Sequence, residues 1–146
     1  MIYGLANLGA FAGVVAAYNI TKSDALESYS GLSKRDPFLA VALMVCLLSL
    51  AGLPPLAGFL AKLFIIAAAV QAKFIGLAIV VVINSVIALY YYVRIVKVMF
   101  LSEAKDTSAV PQAIGLRLAL VLILCGTIVF GVWPQPVFTW LMNMFV

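Results

Sequence analysis

Histidine is absent from this sequence and charged side chains are scarce, which together exclude most classes of soluble protein. Of 146 residues, nine are Lys or Arg and five are Asp or Glu, while 66% are apolar. Soluble domains are nearer half apolar and a quarter charged. An ordinary soluble domain, a disordered chain and a basic nucleic-acid-binding module are therefore excluded. Without histidine the chain also lacks the commonest general base and metal ligand. The composition predicts an integral membrane protein.

Cysteine is nearly absent as well, and no cofactor-binding motif occurs. Cys46 and Cys125 each stand alone within an apolar run, with a spacing that fits neither a metal site nor a disulfide framework. Both are predicted to be small apolar core residues. The sequence contains no GxGxxG, P-loop or CxxC motif. It therefore predicts no metal site and no nucleotide or iron–sulfur cofactor bound by this chain.

Long uncharged stretches predict four transmembrane helices in an all-α protein. A bilayer core about 30 Å thick needs roughly 20 helical residues, which gives spans at about 2–19, 39–72, 76–96 and 115–133. The first stretch differs from a signal peptide because its first basic residue, Lys22, comes after the apolar run. We interpret 1–146 as a single transmembrane region that begins almost inside a helix, which is unusual for a complete protein.

The second predicted span is too long for one straight helix. From Phe38 to Ala72 the chain stays apolar, apart from Lys62, for 35 residues, which would measure about 52 Å as a continuous helix. The same stretch is too short for two spans joined by a turn. Asp36 and Pro37 precede it as a suitable N-cap and first helical residue. The stretch is therefore predicted to start as a helix here and to be interrupted further along.

The interruption is predicted between Gly52 and Gly58, where the sequence reads GLPPLAG. Pro54 and Pro55 remove two backbone donors and disfavour helical geometry in the residue before each proline. The simplest interpretation is one discontinuous span made of two half-helices. Unwound backbone persists at membrane depth only where it is buried in protein or lines a wet cavity, and broken helices are typical of transport sites.

The remaining cations favour this single broken span over a hairpin of two short spans. If residues 39–72 cross the membrane once, seven cations share one side of the membrane and Lys73 lies alone on the other. If the same residues form a hairpin, the eight cations are divided four to four. Because basic residues concentrate on the cytoplasmic side, the loops at 20–37 and 97–115 are predicted to be cytoplasmic and the C-terminus to lie opposite. The seven cations are Lys22, Lys34, Arg35, Arg94, Lys97, Lys105 and Arg117.

Lys62 is the one cation of the sequence without a predicted loop to lie in. It precedes the outer end of the second half-helix by ten residues, about 15 Å, which places it near the bilayer midplane and beyond the reach of snorkelling. A lysine at this depth costs roughly 2.5–3.5 kcal/mol and must face protein or water. A titratable group beside a broken helix predicts a proton relay. The alternative is a structural lysine paired with a carboxylate on another helix.

Four further polar residues are predicted to lie at depth, and two interpretations stay open for each. They either order a chain of water molecules or make interhelical hydrogen bonds worth about 1 kcal/mol, which is the commoner role. They are Ser49 in the first half-helix, Asn84 and Ser85 in the third span, and Asn7 in the first.

Four stretches of the sequence resemble the antiporter-like membrane subunits of respiratory complex I. They read NLGAF at 7–11, DPFLA at 36–40, LLSLAGLPPLAGFLAK at 47–62 and YYY at 90–92. Related subunits and Mrp-type antiporters usually carry a histidine and a lysine in the span that matches 2–19, whereas this chain has Asn7 and no histidine. The sequence is therefore most similar to the subunit N, or subunit 2, type.

The resemblance implies a proton-translocating subunit of an NADH–quinone oxidoreductase. Lys62 would be the charged position of the second discontinuous helix. The chain would correspond to the last four spans, either as a fragment of a longer sequence, as a split subunit that needs a companion, or as a non-functional truncation. The partners implied are the missing N-terminal part of the same subunit, other membrane subunits of complex I and the lipid bilayer. The membrane would be a bacterial inner membrane or an organellar energy-transducing membrane. NADH and quinone would react elsewhere in the complex, since this chain carries no redox centre.

Two other functions stay open. One is a subunit of an Mrp-type cation/proton antiporter or of a membrane-bound hydrogenase. The other is a structural membrane scaffold in which Lys62 is an internal salt-bridge partner.

Overall fold

The computed structural model describes residues 2–21, 23, 25–103, 114–133 and 135, and every regular element among them is helical. The all-α prediction is therefore confirmed over these residues. In chain order they form α1 (Ile2–Thr21), a short 3-10 helix (Leu26–Tyr29), α2 (Leu32–Arg35), α3 (Pro37–Ala51), α4 (Ala57–Gln71), α5 (Ile75–Leu101) and α6 (Ile114–Val132).

The core of the bundle lies where α1, α3 and α6 meet. Leu39, Leu43 and Cys46 on α3 are fully buried. α1 comes close to α3 at Gly9 and Gly13, where added Cβ atoms would collide with Cys46 and Leu43. Small residues allow helix backbones in membranes to approach closely. This packing places α3 at the centre of the bundle.

Two helices, α5 and α6, are long and apolar enough to cross a membrane, while α3 and α4 are shorter apolar helices of 15 residues each. The predicted span at 76–96 lies inside α5, which continues to Leu101, so the predicted start of a loop at residue 97 is wrong for residues 97–101. Large apolar side chains on α5, including Ile79, Ile83 and Val86, are exposed to the surroundings. The total of four spans stays a prediction.

Two details differ from what the sequence predicts. The loop at 20–37 contains the 3-10 helix and α2, which follows Gly31 with its φ of 66°. Cys46 is buried as predicted, but the core prediction for Cys125 is wrong, because that residue is exposed. Lipid tails are as apolar as a protein interior, so an apolar run does not reveal which of its residues face inward.

Lys73 ends α4 in a left-handed conformation that favours glycine. Its φ is 62°, its N–H donates to the Val70 carbonyl at 3.0 Å, and the Phe74 N–H donates to the Ala69 carbonyl at 2.8 Å. A side chain in this conformation is strained by about 1 kcal/mol. We expect Lys73→Gly to raise the free energy of unfolding by about that amount, as measured by thermal unfolding in detergent. Lys73→Val should lower it, and the reverse order of the two variants would contradict the assignment.

Candidate functional site at the helix break

Gly52 follows the last residue of α3 and turns the chain out of the helix. Its φ is 89°, its N–H donates to the Ser49 carbonyl at 3.0 Å, and the Leu53 N–H donates to the Leu48 carbonyl at 3.1 Å. Glycine adopts this conformation without steric penalty. The two prolines that follow cannot donate to a continuing helix, so the end of α3 is specified by local residues.

Ser49 joins the end of α3 to the start of α4. It is fully buried, and its Oγ accepts a hydrogen bond from the Gly58 N–H at 3.1 Å. This bond satisfies one of the N–H groups that a helix leaves without an internal partner at its start. A Cβ atom at Gly58 would overlap the Ser49 carbonyl oxygen. Glycine at position 58 therefore allows α4 to start this close to α3.

Lys62 reaches back from α4 to the end of α3. Its Nζ donates to the Ala51 carbonyl at 2.8 Å, and its Cδ lies 2.8 Å from the position that a Cβ atom on Gly52 would occupy. The carbonyls at the end of a helix carry partial negative charge. Pro55, four residues after Ala51, has no N–H to donate to that carbonyl. The ammonium group replaces the missing donor.

The end of α6 covers one side of the break. A Cβ atom at Gly131 would overlap the Pro55 carbonyl oxygen and would lie 2.7 Å from the Ala57 nitrogen, so the α6 backbone touches the connection directly. The rings of Pro54 and Pro55 are exposed. The unwound backbone is therefore held against protein on the side that faces α6.

The structure brings together the main residues that the sequence predicts for this site. Two contacting pairs lie at the same break, Ser49 with Gly58 and Gly52 with Lys62. In each pair one residue belongs to α3 or its end and the other to α4. The ends of the two helices are therefore linked twice. The Ser49 hydroxyl of α3 binds the start of α4, and the Lys62 ammonium of α4 binds the end of α3.

The other predicted polar residues lie on α1 and α5. The Ser85 Oγ donates to the Val81 carbonyl of its own helix at 2.7 Å. Asn84 is exposed on α5, and Asn7 is partly buried on α1. Their place in a water path stays a prediction.

Asp36 has two roles at the start of α3, of which the sequence predicts the first. Its Oδ1 accepts a hydrogen bond from the Leu39 N–H at 3.0 Å, as expected of an N-cap. Its Oδ2 lies 4.0 Å from the Arg117 guanidinium on α6, with the Asp36 side chain 4% exposed and the Arg117 side chain 54% exposed. The sequence carries no signal for this pairing, because it depends on where α6 docks.

Two substitutions separate the roles of Asp36. We expect Asp36→Ala to lower the free energy of unfolding by about 1 kcal/mol, because the cap is lost. Asp36→Asn should change it by less than about 0.5 kcal/mol, because asparagine also caps helices and an ion pair with a half-exposed arginine contributes little. Thermal unfolding of both variants in detergent measures the difference. Equal losses would instead assign the stability to the carboxylate charge and its pairing with Arg117.

The chemistry available at the break is one amine surrounded by neutral hydrogen-bonding groups. Within the described ranges, Lys62 forms no ion pair with a carboxylate. The same residues include no group of three or more His, Cys, Asp or Glu side chains that could hold a metal ion. The Ser49 hydroxyl and the Lys62 amine are side-chain polar groups at the break, and the Ala51 carbonyl accepts from the amine. Such a set is suited to binding and releasing a proton.

Comparison with known proteins identifies relatives of the whole chain. Residues 1–88 match the family model described as NADH:quinone oxidoreductase/Mrp antiporter, transmembrane region. The NAD(P)H-quinone oxidoreductase subunit 2 of Rippkaea orientalis is 38% identical, with 95% of this chain and 29% of the relative covered. The NADH-quinone oxidoreductase subunit N of Moorella thermoacetica is 36% identical, with 98% and 30% covered. The chain thus spans about three-tenths of the length of these relatives.

A solved structure gives the same result for the fold. A chain of respiratory complex I from Thermus thermophilus with bound aureothin superposes with a TM-score of 0.73 at 29% identity, covering 92% of this chain and 32% of that chain. The family match includes α1, α3, the break and α4 with Lys62. The resemblance seen in the sequence is confirmed, and the chain belongs to the NADH:quinone oxidoreductase/Mrp antiporter family of membrane subunits.

Proposed function

We propose that this chain is part of a proton-translocating membrane subunit of an NADH–quinone oxidoreductase, with Lys62 as its proton-relay residue. The family includes both quinone oxidoreductase subunits and Mrp antiporters. The names of the relatives, NAD(P)H-quinone oxidoreductase subunit 2 and NADH-quinone oxidoreductase subunit N, favour the first of these. Other membrane subunits of complex I, the rest of the same subunit and lipid are the partners proposed, while NADH and quinone react elsewhere in the complex.

The observation that carries the proposal is the hydrogen bond from Lys62 Nζ to the Ala51 carbonyl, at 2.8 Å. A carboxylate partner would favour the charged form of the lysine and hold its proton in place. A backbone carbonyl orients the amine without neutralising it. Lys62 is therefore oriented at the break, and none of the described carboxylates fixes it in the charged form by an ion pair.

Helix lengths support the proposed arrangement in the membrane. α3 and α4 have 15 residues each, about 22 Å, and neither alone crosses a hydrocarbon core of about 30 Å. Together they cross it once, as one discontinuous span with Lys62 beside the break. With α1, α5 and α6 this gives four spans. The segment 20–37 and the connection between α5 and α6 then lie on the cytoplasmic side, and the C-terminus lies opposite.

The alternative with a different chemistry is a structural scaffold. It requires Lys62 to be held in a salt bridge, and none of the described carboxylates supplies one. Asp36, which is buried, lies at the start of α3 and Lys62 at its end, about 22 Å apart along the helix axis. The scaffold therefore needs a carboxylate from another part of the assembly.

The test is a measurement of proton translocation coupled to quinone reduction in membrane vesicles, with Lys62→Ala introduced into the assembled complex. Loss of translocation from a complex that assembles normally supports the relay. Normal translocation by a destabilised complex supports the scaffold and overturns the proposal.

A further inference from the structure

Thr127 on α6 carries a buried hydroxyl whose hydrogen-bonding capacity is unused. The residue is 2% exposed, and its Oγ1 has no hydrogen-bond partner among the residues that the structure describes. A hydroxyl on a helix commonly donates to the carbonyl four residues earlier. Ser85 does so on α5, to the Val81 carbonyl at 2.7 Å. Thr127 forms no such bond with the equivalent Ile123 carbonyl.

Contacts one turn before and one turn after Thr127 fix its height in the bundle. Four residues earlier, the Ile123 Cγ2 lies beside Gly9, at the level of Cys46 on α3. Four residues later, Gly131 meets the connection at Pro55. Because residues four apart share a helix face, Thr127 lies at the level of the last turn of α3.

The last turn of α3 has a carbonyl that lacks its usual donor. In a continuing helix, Leu50 and Ala51 would accept from residues 54 and 55, but both of these are prolines without an N–H. Lys62 replaces the donor for Ala51. Leu53 donates to Leu48 instead, and none of the described backbone hydrogen bonds outside the helices reaches the Leu50 carbonyl.

We propose that Thr127 is a positioning residue that binds a water molecule between its hydroxyl and the Leu50 carbonyl. Leu50 lies four residues after Cys46, and Thr127 lies four residues after Ile123. Because Cys46 and Ile123 lie at the same level beside Gly9, the Leu50 carbonyl and the Thr127 hydroxyl lie at the same height in the bundle. A hydroxyl both donates and accepts, and a buried water needs two to four polar partners. This water would lie one residue along α3 from the Ala51 carbonyl that holds Lys62, where it can pass a proton to or from the amine.

The transport part of this inference rests on the proposed role of Lys62, while the water site itself does not. Removing the hydroxyl while keeping the shape, in Thr127→Val, should slow proton translocation by about five- to tenfold, the effect of losing one ordinary hydrogen bond. Thr127→Ser should retain near-normal translocation. Ser28→Ala is the control, since the Ser28 hydroxyl donates to the Ala25 carbonyl at 2.6 Å at the 3-10 helix, away from the break, and it should leave translocation unchanged.

Two measurements decide the question. A high-resolution cryo-EM map of the assembled complex should show water density between Thr127 Oγ1 and the Leu50 oxygen, and this density should disappear in Thr127→Val. Absence of the density in the wild-type complex, or normal translocation by Thr127→Val, overturns the inference. When Thr127→Val translocates protons normally, Lys62→Ala shows which proposal has failed. Normal translocation by Lys62→Ala contradicts the proposed function as well, whereas defective translocation by Lys62→Ala contradicts only the role of Thr127.

Discussion

In the assembled complex, Lys62→Arg is expected to abolish proton translocation almost as completely as Lys62→Ala, even though arginine keeps the positive charge at the break. A guanidinium can still donate to the Ala51 carbonyl, but it does not release its proton at physiological pH. Loss of a positioned proton-transfer group lowers a rate on the order of a hundredfold. Translocation is measured by quenching of a pH-sensitive dye in membrane vesicles, with quinone reduction followed separately.

The free energy of unfolding distinguishes Lys62→Ala from Lys62→Arg, although both variants are expected to lose proton translocation. Lys62→Ala removes the hydrogen bond to Ala51 and should lower the free energy of unfolding by about 1 kcal/mol, whereas Lys62→Arg should retain most of that energy. Lys97→Ala is the matched control, because Lys97 is an exposed cation on α5, and it should change neither property. If Lys62→Arg translocates protons normally, the site requires a charge and not a titratable amine, and the relay is wrong.

Gly58→Ala is expected to be the most destabilising single-methyl substitution in the described chain. The added Cβ atom would overlap the Ser49 carbonyl oxygen and lie 2.7 Å from the Ser49 carbonyl carbon. Both are backbone atoms of a fully buried residue, so α4 has to move away from α3. The shift also lengthens the 3.1 Å bond from the Gly58 N–H to the Ser49 Oγ. We expect a loss of about 3 kcal/mol in the free energy of unfolding.

Gly76→Ala is the matched control for this effect. Gly76 lies in the first turn of α5, and nothing is within 4 Å of the position where a Cβ atom would be added. Alanine is a better helix former than glycine, so this variant should be as stable as wild type or up to about 1 kcal/mol more stable. Thermal unfolding in detergent and the yield of folded protein in membranes measure both variants. Equal stability of the two would show that α3 and α4 are not in close contact at Ser49.

Helix ends could be predicted from the sequence because they depend on nearby residues. Asp36 and Pro37 specify the start of α3 through a side-chain cap and a fixed φ. Gly52 specifies its end through a left-handed conformation. The 3-10 helix and α2 were not predicted, since four-residue helices have too few positions to show a periodic pattern.

The candidate site could be predicted in part. Lys62 is conspicuous in the sequence because a charge inside a long apolar stretch is costly. Its acceptor, the Ala51 carbonyl, was not predicted, since backbone groups look alike in a sequence. Thr127 was not singled out either, although a lone hydroxyl in the apolar run of α6 was a usable signal. The missing information was whether that hydroxyl bonds to its own helix, as Ser85 does, or points to a neighbour.

The sequence by itself determined three properties. It showed that this is a helical membrane protein, that the chain leaves the helix around two prolines, and that one lysine lies inside a long apolar stretch, where a charge is costly. These properties follow from composition and local stereochemistry. Tertiary structure decided which groups meet: Lys62 with the end of α3, Asp36 with Arg117, and Cys125 turned outward. The physical reason is that these helices are apolar on every side. In a membrane no polar face marks the outside, so only the docking of one helix on another selects the inward residues.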